Sequence, residues 1–366
     1  MENNYNVSII GSVGIPAKYG GFETLVENLA DYHSQSEKNI KLTVYCSTNF
    51  YPNKAPKYKE TYLKYIDIDP HGISSIFYDS YSLLKSIKAG NRIILILGLG
   101  AGFILPVTKL FSSSKIIINI DGAEWKRTKF NPLYRLFIKI LLRLNLRFAD
   151  KVICDNQGIA DLVKEEIDKS SIVIAYGGDH SQEFDKNINF DLSVPNAYSL
   201  ALCRIEPENN IEMILKAFVN LKEENIVFVG NWKNSTYGLR LLKKYSQYKN
   251  IYLMDPIYDK SELFHLRSKA EAYIHGHSVG GTNPSLVEMM FFEKPTFAFD
   301  CIFNRYTIHN HGVFFKNAES LENLILNTKK EHKALIAREA LLYAQTTYTW
   351  EKIGKNYFDL FESLSK

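Results

Sequence analysis

The residues best suited to chemistry fall in four short clusters, each directly after an apolar run. The most specific is Gly280-Gly281-Thr282-Asn283-Pro284-Ser285-Leu286-Val287-Glu288. Asn283 is a good helix N-cap and Pro284 suits the first helical position, so a helix is expected to begin here. The amides near Ser285 and Leu286 would then be free, and the helix dipole favours an anion such as a diphosphate beside them. Glu288 follows about one turn later, within reach of ribose hydroxyls. A well-capped structural helix with a surface Glu is the simpler alternative. Just upstream, His275 and His277 could touch phosphate or sugar, or only pack. No carboxylate or third histidine nearby has the spacing of a metal site.

Arg204 directly follows the apolar run Tyr198 to Cys203. A cation at a strand end suits a departing diphosphate, the alternative being an ordinary surface Arg. Asp121 and Glu124 are the acids of the turn Asn119-Ile-Asp121-Gly-Ala-Glu124-Trp-Lys-Arg127, after the run Lys115 to Ile118. Either could accept a hydrogen bond from a sugar hydroxyl, or merely cap a helix. The loop from Gly11 to Glu23 contains Gly14 and the pair Gly20-Gly21. Paired glycines at a helix start let backbone amides come close to phosphate or sugar. The loop does not have the G-x-G-x-x-G spacing of a dinucleotide site, and a plain strand-to-helix turn is its other reading.

These clusters sit on a repeated pattern of β-branched runs and amphipathic helical runs, which implies parallel sheets covered by helices. The pattern restarts after the polar segment Asp185 to Asn196. The expected class is α/β, with two Rossmann-like doubly wound domains facing across a cleft. The first spans residues 1–185 plus a terminal helix over 350–366, and the second spans 186–349. Ligands of such sheets bind outside the carboxyl ends of the strands, so the cleft is the expected site.

Hydrophobic residues make up 46% of the 366-residue chain, and the formal charge is only +4, which gives no support for a nucleic-acid partner. The four cysteines, Cys46, Cys154, Cys203 and Cys301, are far apart and read as buried thiols in a reducing compartment. The N-terminus has no signal-peptide pattern. The apolar run Ile93 to Val107 is broken by Gly98, Gly100, Gly102 and Pro106 and is too short to span a bilayer.

Taken together, the motifs resemble those of the GT-B fold and, in the second half, of the large family 4 of retaining glycosyltransferases. In that family an Arg follows the first strand of the second domain, as Arg204 does here, and a Glu in the helix after the Gly-rich loop binds the nucleotide ribose, as Glu288 would. Asp255-Pro256-Ile257-Tyr258 is similar to the segment whose backbone reads the base, and the helix with Trp350 to one that returns to the first domain. Lys18-Tyr-Gly20-Gly21-Phe-Glu23, Asp121 to Arg127, Glu208-Asn-Asn210 and His275 to Ser285 resemble bacterial rhamnosyltransferases of capsule and O-antigen assembly. The family's first paired Glu falls at Gly280, its Lys at Asn209 and its first-domain His near Asp121.

The resemblance implies a retaining enzyme that needs no metal or other cofactor. Arg204, Asp121 and Glu124 would be catalytic. Gly20, Gly21, Gly230, Ile257, His275, His277, Gly281, Thr282, Asn283, Ser285, Leu286 and Glu288 would bind the donor, dTDP-L-rhamnose. The acceptor would be a lipid-linked saccharide, placing the protein in the cytoplasm and peripherally on the inner face of the cell membrane. A nucleotide-sugar epimerase and a non-enzymatic nucleotide-sugar-binding module are the competing readings. Arg135, Lys139, Arg143 and Arg147 recur every fourth residue, and no acid lies between Glu124 and Asp150. They are expected to form one basic stripe that meets an anionic membrane surface, or else a solvated helix face.

Overall fold

A strand covered on both faces must be apolar throughout, whereas a helix lying on it needs only one apolar side. The two kinds of run separate accordingly in the computed structural model, which describes residues 5–18, 20–36, 39–120, 122, 131–184 and 193–365. The chain divides into two units: residues 1–176 with 350–366, and residues 177–349.

The first unit runs β1 (Tyr5–Ile10), α1 (Gly21–Gln35), β2 (Ile40–Ser47), β3 (Lys57–Tyr58), β4 (Thr61–Ile66), α2 (Ser74–Lys88), β5 (Ile93–Leu97), α3 (Leu105–Phe111), β6 (Lys115–Ile120), α4 (Pro132–Phe148), β7 (Lys151–Cys154), α5 (Gln157–Ile167) and β8 (Ile172–Val173). The strand order is β3-β4-β2-β1-β5-β6-β7-β8, parallel except for β3 against β4. All five residues of β5 are buried, as a central strand requires. The last strand, β8, is only the exposed pair Ile172–Val173, because it lies at the sheet edge with one neighbour only.

The second unit runs β9 (Ser199–Leu202), α6 (Ile211–Asn220), β10 (Ile226–Val229), α7 (Thr236–Tyr245), β11 (Ile251–Met254), α8 (Lys260–Lys269), β12 (Ala272–His275), α9 (Pro284–Met290), β13 (Thr296–Phe299), α10 (Ile302–Ile308), β14 (Val313–Phe315), α11 (Ala318–Asn327) and α12 (Lys330–Thr347). Its strands are all parallel, in the order β11-β10-β9-β12-β13-β14.

The last helix, α13 (Trp350–Ser365), belongs to the first unit. Ile353, Tyr357, Phe358 and Phe361 share one core with Val7 of β1, Leu29 of α1 and Leu95 of β5. The Phe358 ring lies 5.2 Å from Tyr32, and Asn119 Nδ2 donates to Tyr357 Oη at 2.6 Å inside the core. Cys46 and Cys154 are buried, but Cys203 and Cys301 are only partly so, which corrects the expectation of four buried thiols. No described helix is long and apolar enough to cross a membrane.

Gly354 is where α13 meets α1: a Cβ there would lie 2.4 Å from Tyr32 Cγ. Gly354→Leu is expected to destabilise the protein by about 1–3 kcal/mol through overpacking. Urea titration checks this; an unchanged midpoint would mean that α13 is not tightly seated.

Candidate active site

In a parallel sheet, the place where strand order reverses leaves the strand ends open to a ligand. In the second unit this switch point lies between β9 and β12, since β10 and β11 follow on one side and β13 and β14 on the other. Arg204 follows β9, and the segment from His275 to Glu288 follows β12. The two strand exits are tied together. Ser278 donates its backbone N–H (3.1 Å) and its hydroxyl (2.7 Å) to the Glu208 carbonyl. Asn210 Nδ2 donates to the Gly276 carbonyl at 2.8 Å.

The Arg204 turn is shaped by neutral groups. Asn209 Nδ2 donates to the Arg204 carbonyl at 2.7 Å, and Asn231 Oδ1 accepts from the Ile205 amide at 2.7 Å. Gly230 leaves room for the turn, because a Cβ there would sit 2.4 Å from Ile205 Cδ1. The Arg204 side chain is exposed and makes no ion pair among the described residues. Ile257 lies in the loop after β11, where the neighbouring Asp255 pairs with Lys233 at 2.7 Å.

Below the Gly-rich loop, Tyr273 donates to Ser285 Oγ at 2.9 Å, and Ser285 donates to Asn283 Oδ1 at 2.7 Å. His275 Nδ1 lies 3.4 Å from Tyr273 Oη, and its ring stacks on His277 with centroids 4.5 Å apart. Burial, with some help from His277, holds the His275 pKa well below its ordinary value. His275 is therefore a neutral ring under the loop at pH 7, and it is 1% exposed. Asn283 caps α9 by accepting from the Ser285 amide at 3.1 Å, and its carbonyl accepts from Leu286 at 3.1 Å. The amides expected to be free are thus engaged in the turn itself. Thr282 is buried, whereas Gly280 (φ 139°) and Gly281 are partly exposed, and a Cβ on Gly280 would meet nothing within 4 Å.

Glu288 is held from two sides by residues that sequence reasoning missed. One oxygen pairs with the Arg267 guanidinium of α8, and the other lies 3.3 Å from His180 Nε2. Burial pushes the Glu288 carboxyl up, but Arg267 and then His180 outweigh it, and the pKa ends below its ordinary value. Each carboxylate oxygen has further lone pairs, so acceptance from a hydroxyl is still open. His180 lies in a short turn, Asp179–Gln182, packed on α9. Gln182 Nε2 donates to the Phe291 carbonyl at 3.1 Å, and a Cβ on Gly178 would lie 2.8 Å from Val287.

In the first unit the reversal lies between β1 and β5. Gly20 (φ 121°) precedes α1, which Gly21 begins, and the Glu23 carboxylate folds back to where a Gly20 Cβ would be. Glu23 accepts from the Val13 amide at 2.8 Å, and burial raises its pKa. Asp121 and Glu124 lie outside the described residues. Of the expected basic stripe, Lys139 and Arg143 reach Glu166 of α5 at 3.1 and 2.7 Å, and Arg135 is half-buried. The stripe is therefore not one free basic face, because α5 brings in an acid from beyond the stretch. Among the described residues no group of three His, Cys, Asp or Glu side chains could hold a metal ion.

A family profile described as a domain of unknown function, DUF1972, matches residues 4–179. A comparison with curated proteins finds no match. Solved structures match over the whole length. Sucrose-phosphate synthase of Thermosynechococcus elongatus is 15% identical, with a TM-score of 0.79 over 98% of this chain and 99% of that one. A glycosyltransferase of Rickettsia africae is 13% identical, with a TM-score of 0.74 over 100% and 99%. HepE of Anabaena, solved with UDP, is 13% identical, with a TM-score of 0.72 over 98% and 100%. At these identities the likeness establishes the fold: the chain has the two-domain GT-B architecture.

Removing Arg267 strands a largely buried carboxylate, so Arg267→Met is expected to cost about 3 kcal/mol. Because the folded protein holds the Glu288 pKa low, the wild-type contribution is present at neutral pH and lost as the pH falls below about 4. Denaturant titrations at several pH values check both points. The variant should lose this acid-dependent part of its stability, and an unaltered pH profile would count against the pairing.

Proposed function

We propose that this chain is a retaining glycosyltransferase that moves L-rhamnose from dTDP-L-rhamnose to a lipid-linked saccharide in surface polysaccharide synthesis, at the cytoplasmic face of the membrane and without a metal. The observation that carries the reading is that the turn with Arg204 and the His275 to Glu288 segment leave neighbouring strands at one switch point, where Asn210 and Ser278 tie the two exits together. Whole-length likeness to solved glycosyltransferases supports sugar transfer, and the UDP held by HepE supports a nucleoside diphosphate as the carrier. Glu288 suits the ribose hydroxyls, and the Arg204 guanidinium suits the diphosphate. Gly280 offers open space where the resembling family has a carboxylate, which favours a 6-deoxy donor sugar. A 6-deoxy sugar has one fewer hydroxyl to be held there.

In this reading the bond from the sugar's anomeric carbon to the diphosphate breaks while the acceptor oxygen bonds the same face. The acceptor proton passes to a departing diphosphate oxygen, so no protein nucleophile is needed. Negative charge grows on the diphosphate as the bond breaks, and Arg204 acts most strongly at that point.

Arg204→Ala is expected to lower kcat by roughly a hundredfold with a smaller change in donor affinity. Glu288→Gln should weaken donor binding by about tenfold while changing kcat little. Initial rates with dTDP-L-rhamnose, ranked against UDP- and GDP-sugars, check the assignment. Near-normal transfer by both variants would sink it, and donor turnover without acceptor would indicate an epimerase. EDTA should leave the rate unchanged; a loss restored by Mg²⁺ would overturn the metal-free reading.

A further inference from the structure

The two helix layers of the first unit differ sharply in what they show to solvent. Val7 and Ile9 of β1 pack in the core formed with α1 and α13, whereas Ser8, on the other face of the same strand, bonds Ser86 of α2. No large apolar residue of α1 or α13 is exposed. On the α2 side, Phe77 is 65% exposed, Leu110 84%, Phe111 66%, Leu133 80% and Leu136 56%. These residues come from α2, α3 and α4, which the turn Gly100–Phe103 holds together. Asp79 of α2 packs against Gly100, Phe103 lies 5.5 Å from Phe137 of α4, and Asn145 of α4 donates to the Leu99 carbonyl at 2.9 Å. An apolar face of this extent on one side only marks an interaction surface.

The charges in this layer select the partner. The only acid in α2, α3 and α4 is Asp79, which is buried. Lys109 pairs with Asp150, and Lys139 and Arg143 pair with Glu166. Lys85, Lys88 and Arg147 make no ion pair among the described residues. A second copy meeting this face about a two-fold axis would bring like charges together. A lipid surface accepts the apolar side chains at its acyl boundary and the cations at its headgroups. We infer that the outer face of α2, α3 and α4 docks on an anionic lipid bilayer, lying on the membrane without crossing it. This docking rests on the proposed place at the membrane face and names the surface that would meet the lipid.

The test is co-sedimentation of the full chain with vesicles of phosphatidylcholine alone and of equal parts phosphatidylglycerol and phosphatidylcholine. Wild type should bind the anionic vesicles about tenfold better at low salt. The triple variant Phe77→Ser, Leu110→Ser, Leu136→Ser should bind at least about tenfold more weakly, with an unchanged melting temperature since these side chains are exposed. Lys85→Gln with Lys88→Gln and Arg147→Gln should remove the preference for the anionic lipid. Leu335→Ser with Leu342→Ser, on α12 of the second unit, should bind like wild type. Wild type that ignores both vesicles, or a triple variant that binds as well as wild type, overturns the inference. So does a wild-type dimer that the triple variant dissociates, which would assign the face to a second copy. Calorimetry of donor binding to the triple variant, expected unchanged, reports on the sugar-transfer reading independently.

Discussion

A parallel sheet whose strand order turns back on itself has helices leaving in opposite directions from two adjacent strands, and the rest of this molecule is arranged around that gap. In the second unit the gap lies between β9 and β12, and side chains from the two exits bridge it. The bridge demands close backbone approach. A Cβ on Gly276 would lie 2.1 Å from the Asn209 carbonyl oxygen, so no other residue fits that position without displacement. Asn209 is buried and spends its amide on the Arg204 carbonyl. A neutral side chain thus fixes the turn, and Arg204 is its exposed cation. The first unit meets the same constraint differently. There Gly11, at φ 90°, packs its Cα directly onto the Leu97 carbonyl at the end of β5.

Glu288 shows how a recognition group can be built into the packing. A carboxylate partly withdrawn from water needs opposing charge, and Arg267 of α8 supplies it, while His180 meets the other oxygen from the turn before the second sheet begins. The same contacts fix the side chain's direction, so orientation and charge compensation come from one arrangement. Glu166 does the reverse for the first unit: it takes up Lys139 and Arg143, and the layer is left with an apolar face beside the cations Lys85, Lys88 and Arg147.

Much of this was legible in the order of residues. The runs Ile226 to Val229, Ile251 to Met254, Ala272 to His275 and Thr296 to Phe299 are strands with those bounds, because short runs rich in β-branched and aromatic residues suit a sheet covered by helices. The cap at Asn283-Pro284 was legible because capping is local chemistry. Partnerships across distant elements were not. Nothing in the spacing around Arg267 or His180 points to Glu288, 21 residues beyond the former. Likewise the stretch from Lys126 to Arg147 contains no acid of its own, so Glu166 could enter only through the packing of α5 on α4. Helix α2 went unread because its exposed side is as apolar as its buried one, which blurs the period that marks a surface helix.

The return of α13 to the first unit has a consequence for how the protein is made. Residues 177–349 are continuous and can close their core as soon as they leave the ribosome, whereas the first unit waits for Ile353, Tyr357, Phe358 and Phe361. The first half to be synthesised is therefore the last to be completed, and its nascent core stays open on the α1 side throughout the translation of the second unit.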